Sequence, residues 1–337
     1  MTYTLSVLDL SPVSGDNTQA QAVRESLEVA KAAERLGYHR FWVAEHHNIG
    51  GLGSPAPEIL IAAASQITST IRLGSGGVML VNYSPLKVAE VFMELEALAP
   101  GRIDLGVGRA LGTDQRTGGA LRSSGSEAFP QYFALLCAWL LDASGTEPIT
   151  DAHPAREIHA NPKGPSHPDP FLLCTSVDSA LFAAQAGVGM VFAEFIARAD
   201  GGPAVAAYKG NFRPSVFRSE PLAGIATIAL AAETSEEAER LAAPMRAGNL
   251  ATLDGGRRRF TSIPEAQAFL AERAGDPRLA GVIARSIVGD SATVKARLDD
   301  KAASTGADEL FVMAVGPDLE SRIRSLELIK GEEARAR

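Results

Sequence analysis

Cysteine is nearly absent: Cys137 and Cys174 are the only two in 337 residues. Two thiols cannot build a disulfide framework, and their scarcity fits a reducing compartment. Positive charge is also short, with 32 Lys and Arg against 40 Asp and Glu and a net charge of −8. That balance argues against nucleic acid or an anionic membrane as the main partner. The one basic cluster is Arg257, Arg258 and Arg259. It reads as a solvated loop first and as a clamp for an anionic ligand second. The longest apolar run, FALLCAWLL at 133–141, is too short to cross a bilayer, which takes about 20 residues. No basic stretch followed by an apolar one opens the chain, so no export signal is expected. A cytoplasmic protein is the expectation.

Apolar, strand-like runs alternate with long helical patterns. Strands are expected at 3–10, 41–45, 71–77, 102–108, 170–176, 187–194, 222–230 and 308–315. Helical periodicity fills 18–37, 56–68, 84–101 and 126–142, with Ser84 placed to cap the third of these, Pro85 in its first turn and Gly101 at its end. Strands separated by helices imply right-handed crossovers and a parallel sheet. Eight such units predict an α/β fold, a closed (β/α)8 TIM barrel, with an open doubly wound sheet as the alternative. No linker divides the chain, so one domain is expected over 1–330 with a tail at 331–337. Two stretches exceed the repeat. Residues 143–169 are rich in proline, and 248–285 read as an irregular insertion after the seventh strand, suited to a lid.

Histidine is scarce too, yet two of the six stand together in FWVAEHHN at 41–48. In a barrel, chemistry sits where strands end at the C-terminal face. Alternation along a strand keeps His46 and His47 from both pointing inward. No later strand ends in histidine, and His153, His159 and His167 fall in a loop, so no metal site is expected. What remains is a general acid or base, a cofactor-edge histidine, or one packed histidine beside a solvated one. Arg109 lies at the end of the fourth strand. Next to it, Thr175, Ser176 and Ser179 surround the start of a helix, whose free N–H groups suit a phosphate. Alternatively the hydroxyls cap that helix and Arg109 pairs with an acid. LGVGRALG at 105–112 spaces its glycines as GxGxxxG, a poor dinucleotide fingerprint. Gly76 and Gly77 bare the backbone at the end of the third strand, for a flat ring or for packing. Cys137 reads as core, and Cys174 has no feature that activates it. Trp42, Phe195 and the 248–285 insertion are candidates for shaping an apolar pocket.

Taken together, AEHHN, IRLGSGGVML, SPLKVAEVFMELEALAPGRIDLGVGRALGTDQRT and the closing VGDSATVKARLDDKAASTGADELFV resemble the bacterial luciferase-like monooxygenases over nearly the whole chain. RALGTDQRT points to the small single-chain subgroup, some of whose members act in antibiotic pathways. The resemblance implies a flavin-dependent oxidoreductase on a (β/α)8 barrel. It would take FMN in reduced form from a separate reductase, and oxygenate a small organic substrate with O2 through a flavin C4a-peroxide. It places His46 at the reactive edge of the flavin, with Glu45 and His47 facing away in support. Gly76–Gly77 would form a cis peptide beneath the ring, and Arg109, Thr175, Ser176 and Ser179 would hold the phosphate. Family members pair as homodimers through their second and third barrel helices. Gly108, where luciferase has cysteine, and Cys174-Thr175-Ser176, where close relatives tend to have glycine-serine-serine, depart from the pattern, so luciferase's own aldehyde pocket does not carry over. A non-catalytic flavin-binding protein and a deazaflavin-dependent dehydrogenase are the alternatives on this fold.

Overall fold

The computed structural model describes residues 3–197, 199–255 and 258–331; Arg257 and most of the expected tail lie outside the described residues. Among the described residues nine parallel strands form one sheet: β1 (Thr4–Asp9), β2 (Arg40–Val43), β3 (Arg72–Met79), β4 (Ile103–Gly108), β5 (Asp169–Cys174), β6 (Gly189–Ala193), β7 (Ala223–Ala232), β8 (Ser286–Asp290) and β9 (Glu309–Ala314). Eight of them close a barrel, in which β6 pairs with β7, β7 with β9, and β9 with β1. Between them run α1 (Gln19–Arg35), α2 (Pro57–Ser65), α3 (Pro85–Leu98), α4 (Gln115–Ala120), α5 (Phe129–Ala143), α6 (Val177–Ala186), α7 (Glu194–Ala197), α8 (Gly202–Asn211), α9 (Ser235–Leu253), α10 (Ile263–Ala271), α11 (Pro277–Ala284), α12 (Ser291–Thr305) and α13 (Leu319–Lys330). The expected TIM barrel is present.

β8 is a strand the periodicity did not reveal. Along one edge of β7, β6 pairs only from Ala223 to Ala226, and β8 takes the stretch from Ile228 to Ala232. The strand therefore covers the edge that β7 exposes where it outruns the barrel. The 248–285 stretch is not irregular either. α10 and α11 pack on α9 around Leu250, Phe260, Phe269 and Val282, a small core outside the barrel. Residues 144–168, by contrast, hold neither helix nor strand. Ser84 occupies the N-cap of α3 without a side-chain hydrogen bond, and that helix stops at Leu98, three residues before Gly101.

Every residue of β4, β6, β7 and β9 is buried or nearly so, as expected for strands covered on both faces. Alternation divides them cleanly. Leu8, Trp42, Phe171, Val191, Ala226, Ile228, Phe311 and Met313 fill the barrel interior, while Val7, Phe41, Val43, Leu105 and Val312 face the helices. The N-terminal end of the barrel is plugged by charge. Asp104, with no exposed side chain, pairs with Arg40 at 2.7 Å and Arg72 at 2.5 Å and accepts from Trp42 Nε1 at 2.9 Å. Arg40 Nε also reaches Glu309 at 3.2 Å. With that end closed, side chains with chemical freedom gather at the opposite mouth.

Candidate active site

His46 continues the inward alternation of Trp42 and Ala44, which brings it to the mouth. The residue is half-buried, and its Nδ1 is enclosed without a hydrogen-bond partner among the described residues. Burial first, and the nearby His47 second, lower its pKa to about 4. At its ordinary value the imidazole would stand between neutral and cationic at physiological pH; loss of hydration penalises the cation, so His46 is neutral there. It can take a proton or hold a hydrogen bond, but it does not stand as a charged acid.

Glu45 and His47 face away, as expected, and pair through Nε2 and Oε1 at 2.7 Å. Glu45 is 1% exposed. It also accepts from the Met79 N–H at 2.9 Å and from the Tyr83 hydroxyl at 3.0 Å. That convergence was missed from sequence, because the donors lie more than thirty residues away and no local spacing signals them.

The peptide bond between Gly76 and Gly77 is cis. A Cβ at Gly76 would sit 2.5 Å from Leu8 Cδ1, and one at Gly77 would sit 2.7 Å from the Gly106 carbonyl oxygen. Backbone packing therefore demands glycine at 77, whereas at 76 the close neighbour is the end of a flexible leucine side chain.

Arg109 follows β4 with an exposed side chain. No hydrogen bond or ion pair involves it among the described residues, so the alternative of a structural arginine pairing with an acid finds no partner. It lies beside the end of β5, where its charge acts on Cys174 together with a hydrogen bond from Ser179. Burial dominates there and pushes the thiol up to about 12, which leaves Cys174 inert. Ser176 caps α6, and its hydroxyl lies 3.1 Å from that of Ser179 in a reciprocal capping box. Both hydroxyls are thus occupied within the protein. What α6 offers outward is the exposed Thr175 and the N–H groups of Val177 and Asp178, since the cap takes that of Ser179.

Other expectations change. Trp42 is fully buried on Asp104 and shapes no pocket at the mouth. Phe195 does pack on the interior cluster, along with Leu10, Met245 and Val315. Arg258 pairs with Glu265 at 2.8 Å and lies 4.5 Å from the Phe260 ring centroid. Arg259 directs its guanidinium to the Val13 and Asn17 carbonyls at 3.5 and 3.4 Å. Neither is a free ligand clamp. Among the described residues, no group of three or more His, Cys, Asp or Glu could hold a metal ion, and no helix is long and apolar enough to cross a membrane.

The mouth thus presents a neutral histidine, a backbone edge, an unpaired arginine and an open helix start. Comparison with known proteins agrees over almost the entire chain. The model for the luciferase-like monooxygenase family matches residues 3–309. A luciferase-like monooxygenase of Escherichia coli (strain K12) is 37% identical over 335 residues, covering 97% of this chain and 96% of that protein. The N-acetyl-S-alkylcysteine monooxygenase of Bacillus subtilis (strain 168) is 38% identical over 268 residues, 79% of either chain. The crystal structure of apo-MsnO8 superposes with a TM-score of 0.88 at 37% identity, over 97% of this chain and 96% of that one. The chain belongs to the luciferase-like monooxygenase family, and it is a monooxygenase.

Proposed function

We propose that the protein is an FMN-dependent monooxygenase that receives reduced flavin from a separate reductase and oxygenates a small organic substrate with O2. The observation that carries this reading is the pairing at one mouth of a buried, unpartnered imidazole nitrogen on His46 with the exposed Arg109. These are complementary to the two ends of FMN, a heteroaromatic ring and a phosphate. Arg109 would take the phosphate with the N–H groups at the start of α6 and the Thr175 hydroxyl. Ser176 and Ser179 would shape that helix start through their capping box. Gly76–Gly77 and His46 would lie along the ring.

When bound and reduced, the flavin supplies the electrons that activate O2. The protein's part is positional. His46, neutral at physiological pH, accepts or returns a proton at its imidazole nitrogens, help typically worth about 10²–10⁴ in rate. Leu10, Phe195, Met313 and Val315 present apolar surface on the side of the barrel away from β3 and β4, which holds water back from the reacting atoms. A homodimer formed through α2 and α3, in the cytoplasm, completes the proposal.

The test mixes anaerobically reduced FMN and protein with oxygenated buffer in a stopped-flow spectrometer. The reading expects flavin reoxidation to follow a course distinct from that of free FMN, and His46→Ala to lose that distinction while binding oxidised FMN within a few-fold. Reoxidation identical to free FMN, or tighter binding of a deazaflavin than of FMN, defeats it.

A further inference from the structure

Glu45 stands one residue before His46 and turns the other way, into a space that the mouth's segments share. Four donors meet its two oxygens. Oε2 takes the Met79 N–H at 2.9 Å, at the exit of β3. Oε1 takes the Tyr83 hydroxyl at 3.0 Å and the Asn82 amide at 3.4 Å, and it pairs with His47 Nε2 at 2.7 Å. Two of these partners reach onward to the loop that follows Arg109. Asn82 Nδ2 donates to the Leu111 carbonyl at 3.0 Å. The His47 N–H donates to the Gly112 carbonyl at 3.3 Å, and its own carbonyl accepts from Thr113 Oγ1 at 2.8 Å.

We propose that Glu45 is the positioning residue of the mouth, one buried carboxylate that holds the strand end bearing His46, the exit of β3 and the loop bearing Arg109 in a single frame. The proposal rests on the FMN reading above and assigns Glu45 no contact with the cofactor. Ring and phosphate would then be held together: if the frame loosens, the two ends of the site lose their common spacing.

The chemistry of the four donors makes the idea specific. The Met79 N–H can only donate, and Asn82 could accept only by flipping its amide and losing its bond to the Leu111 carbonyl. The Tyr83 hydroxyl can rotate and accept, and His47 can move its proton from Nε2 to Nδ1. Glu45→Gln therefore has a way to be accommodated. Its carbonyl oxygen keeps the Met79 N–H, and its NH2 donates to Tyr83 and to a His47 of switched tautomer. Glu45→Leu has none, since it strands the Met79 N–H and frees the loop.

Three readouts test this, the first needing no cofactor. In ¹⁵N-histidine spectra of the protein alone, Glu45→Gln is expected to convert His47 from the Nε2–H to the Nδ1–H tautomer; unchanged His47 signals overturn the proposal. In flavin fluorescence quenching, Glu45→Gln should bind within about threefold of wild type. Glu45→Leu should weaken riboflavin by on the order of tenfold and FMN by more than that, and should shrink the effect of Arg109→Ala on FMN. Wild-type binding by Glu45→Leu, or full additivity with Arg109→Ala, overturns it. Should Glu45→Leu not fold, Asn82→Ala cuts the link to Leu111 and the long bond to Glu45, and leaves the carboxylate its other three donors. It is expected to lower FMN affinity while sparing riboflavin, and an unchanged ratio counts against the frame. A wild-type protein that binds no flavin refutes the FMN reading instead, and the histidine spectra then decide on Glu45.

Discussion

The depressed pKa of His46 makes the stability of this protein depend on pH in a way that one substitution can isolate. The imidazole has an ordinary value of 6.5 and falls to about 4 in the folded protein, mainly because burial penalises the cation. As pH drops below 6.5, the unfolded chain binds a proton that the folded one refuses, so stability falls. The loss continues until the pH reaches the folded value. Each tenfold difference in proton affinity between the two states corresponds to about 1.4 kcal/mol, so the full cost near pH 4 is about 3 kcal/mol. Between pH 7 and pH 5 the same relation gives about 2 kcal/mol. His46→Asn removes the titration but keeps a polar side chain. The assay is urea unfolding of wild type and variant at both pH values, at low micromolar concentration, followed by the fluorescence of Trp42 and Trp139. His39, which is also lowered, contributes equally to both proteins and cancels. Wild type should lose about 2 kcal/mol more than the variant over this interval. Equal losses would show that His46 is not a buried neutral imidazole, and its assigned role would go with it.

Arg109→Ala should weaken FMN by about one to two decades while leaving riboflavin and the urea midpoint nearly unchanged, because the side chain has no partner among the described residues to lose. Arg109→Lys should recover only part, since an ammonium lacks the bidentate fork; equal losses for both flavins would contradict the phosphate role. At the closed end of the barrel, Asp104→Ala takes the shared carboxylate from Arg40, Arg72 and the Trp42 indole together and should cost about 3–5 kcal/mol by chemical denaturation. A loss under about 1 kcal/mol would mean that water replaces the carboxylate. Light scattering at micromolar concentration should give a dimer mass, and a monomer would remove the proposed pairing of α2 and α3, where Ile59 and Leu98 are exposed.

Alternating apolar runs and helical periodicity were enough to place all eight barrel strands and the helices α1, α2, α3, α5 and α6, because burial on both faces of a parallel strand writes itself into consecutive residues. The same logic put His46 at the mouth, two and four residues beyond the inward Ala44 and Trp42, and put Arg109 beside the start of α6. Proximity along the chain also explains why the Ser176–Ser179 cap was legible. What sequence could not decide was which partners these groups meet. β8 is five residues long and acquires its meaning only from the edge of β7. The protonation of His46 depends on the desolvation that a whole barrel mouth imposes, not on its neighbours in sequence. Trp42 reads as pocket-lining until the closed barrel sets it on Asp104. Glu45 reads as the neighbour of a histidine pair until the fold brings Met79, Asn82 and Tyr83 to its oxygens. Periodicity records which face of an element is buried, whereas hydrogen bonding and charge depend on distances between segments that only the closed barrel fixes.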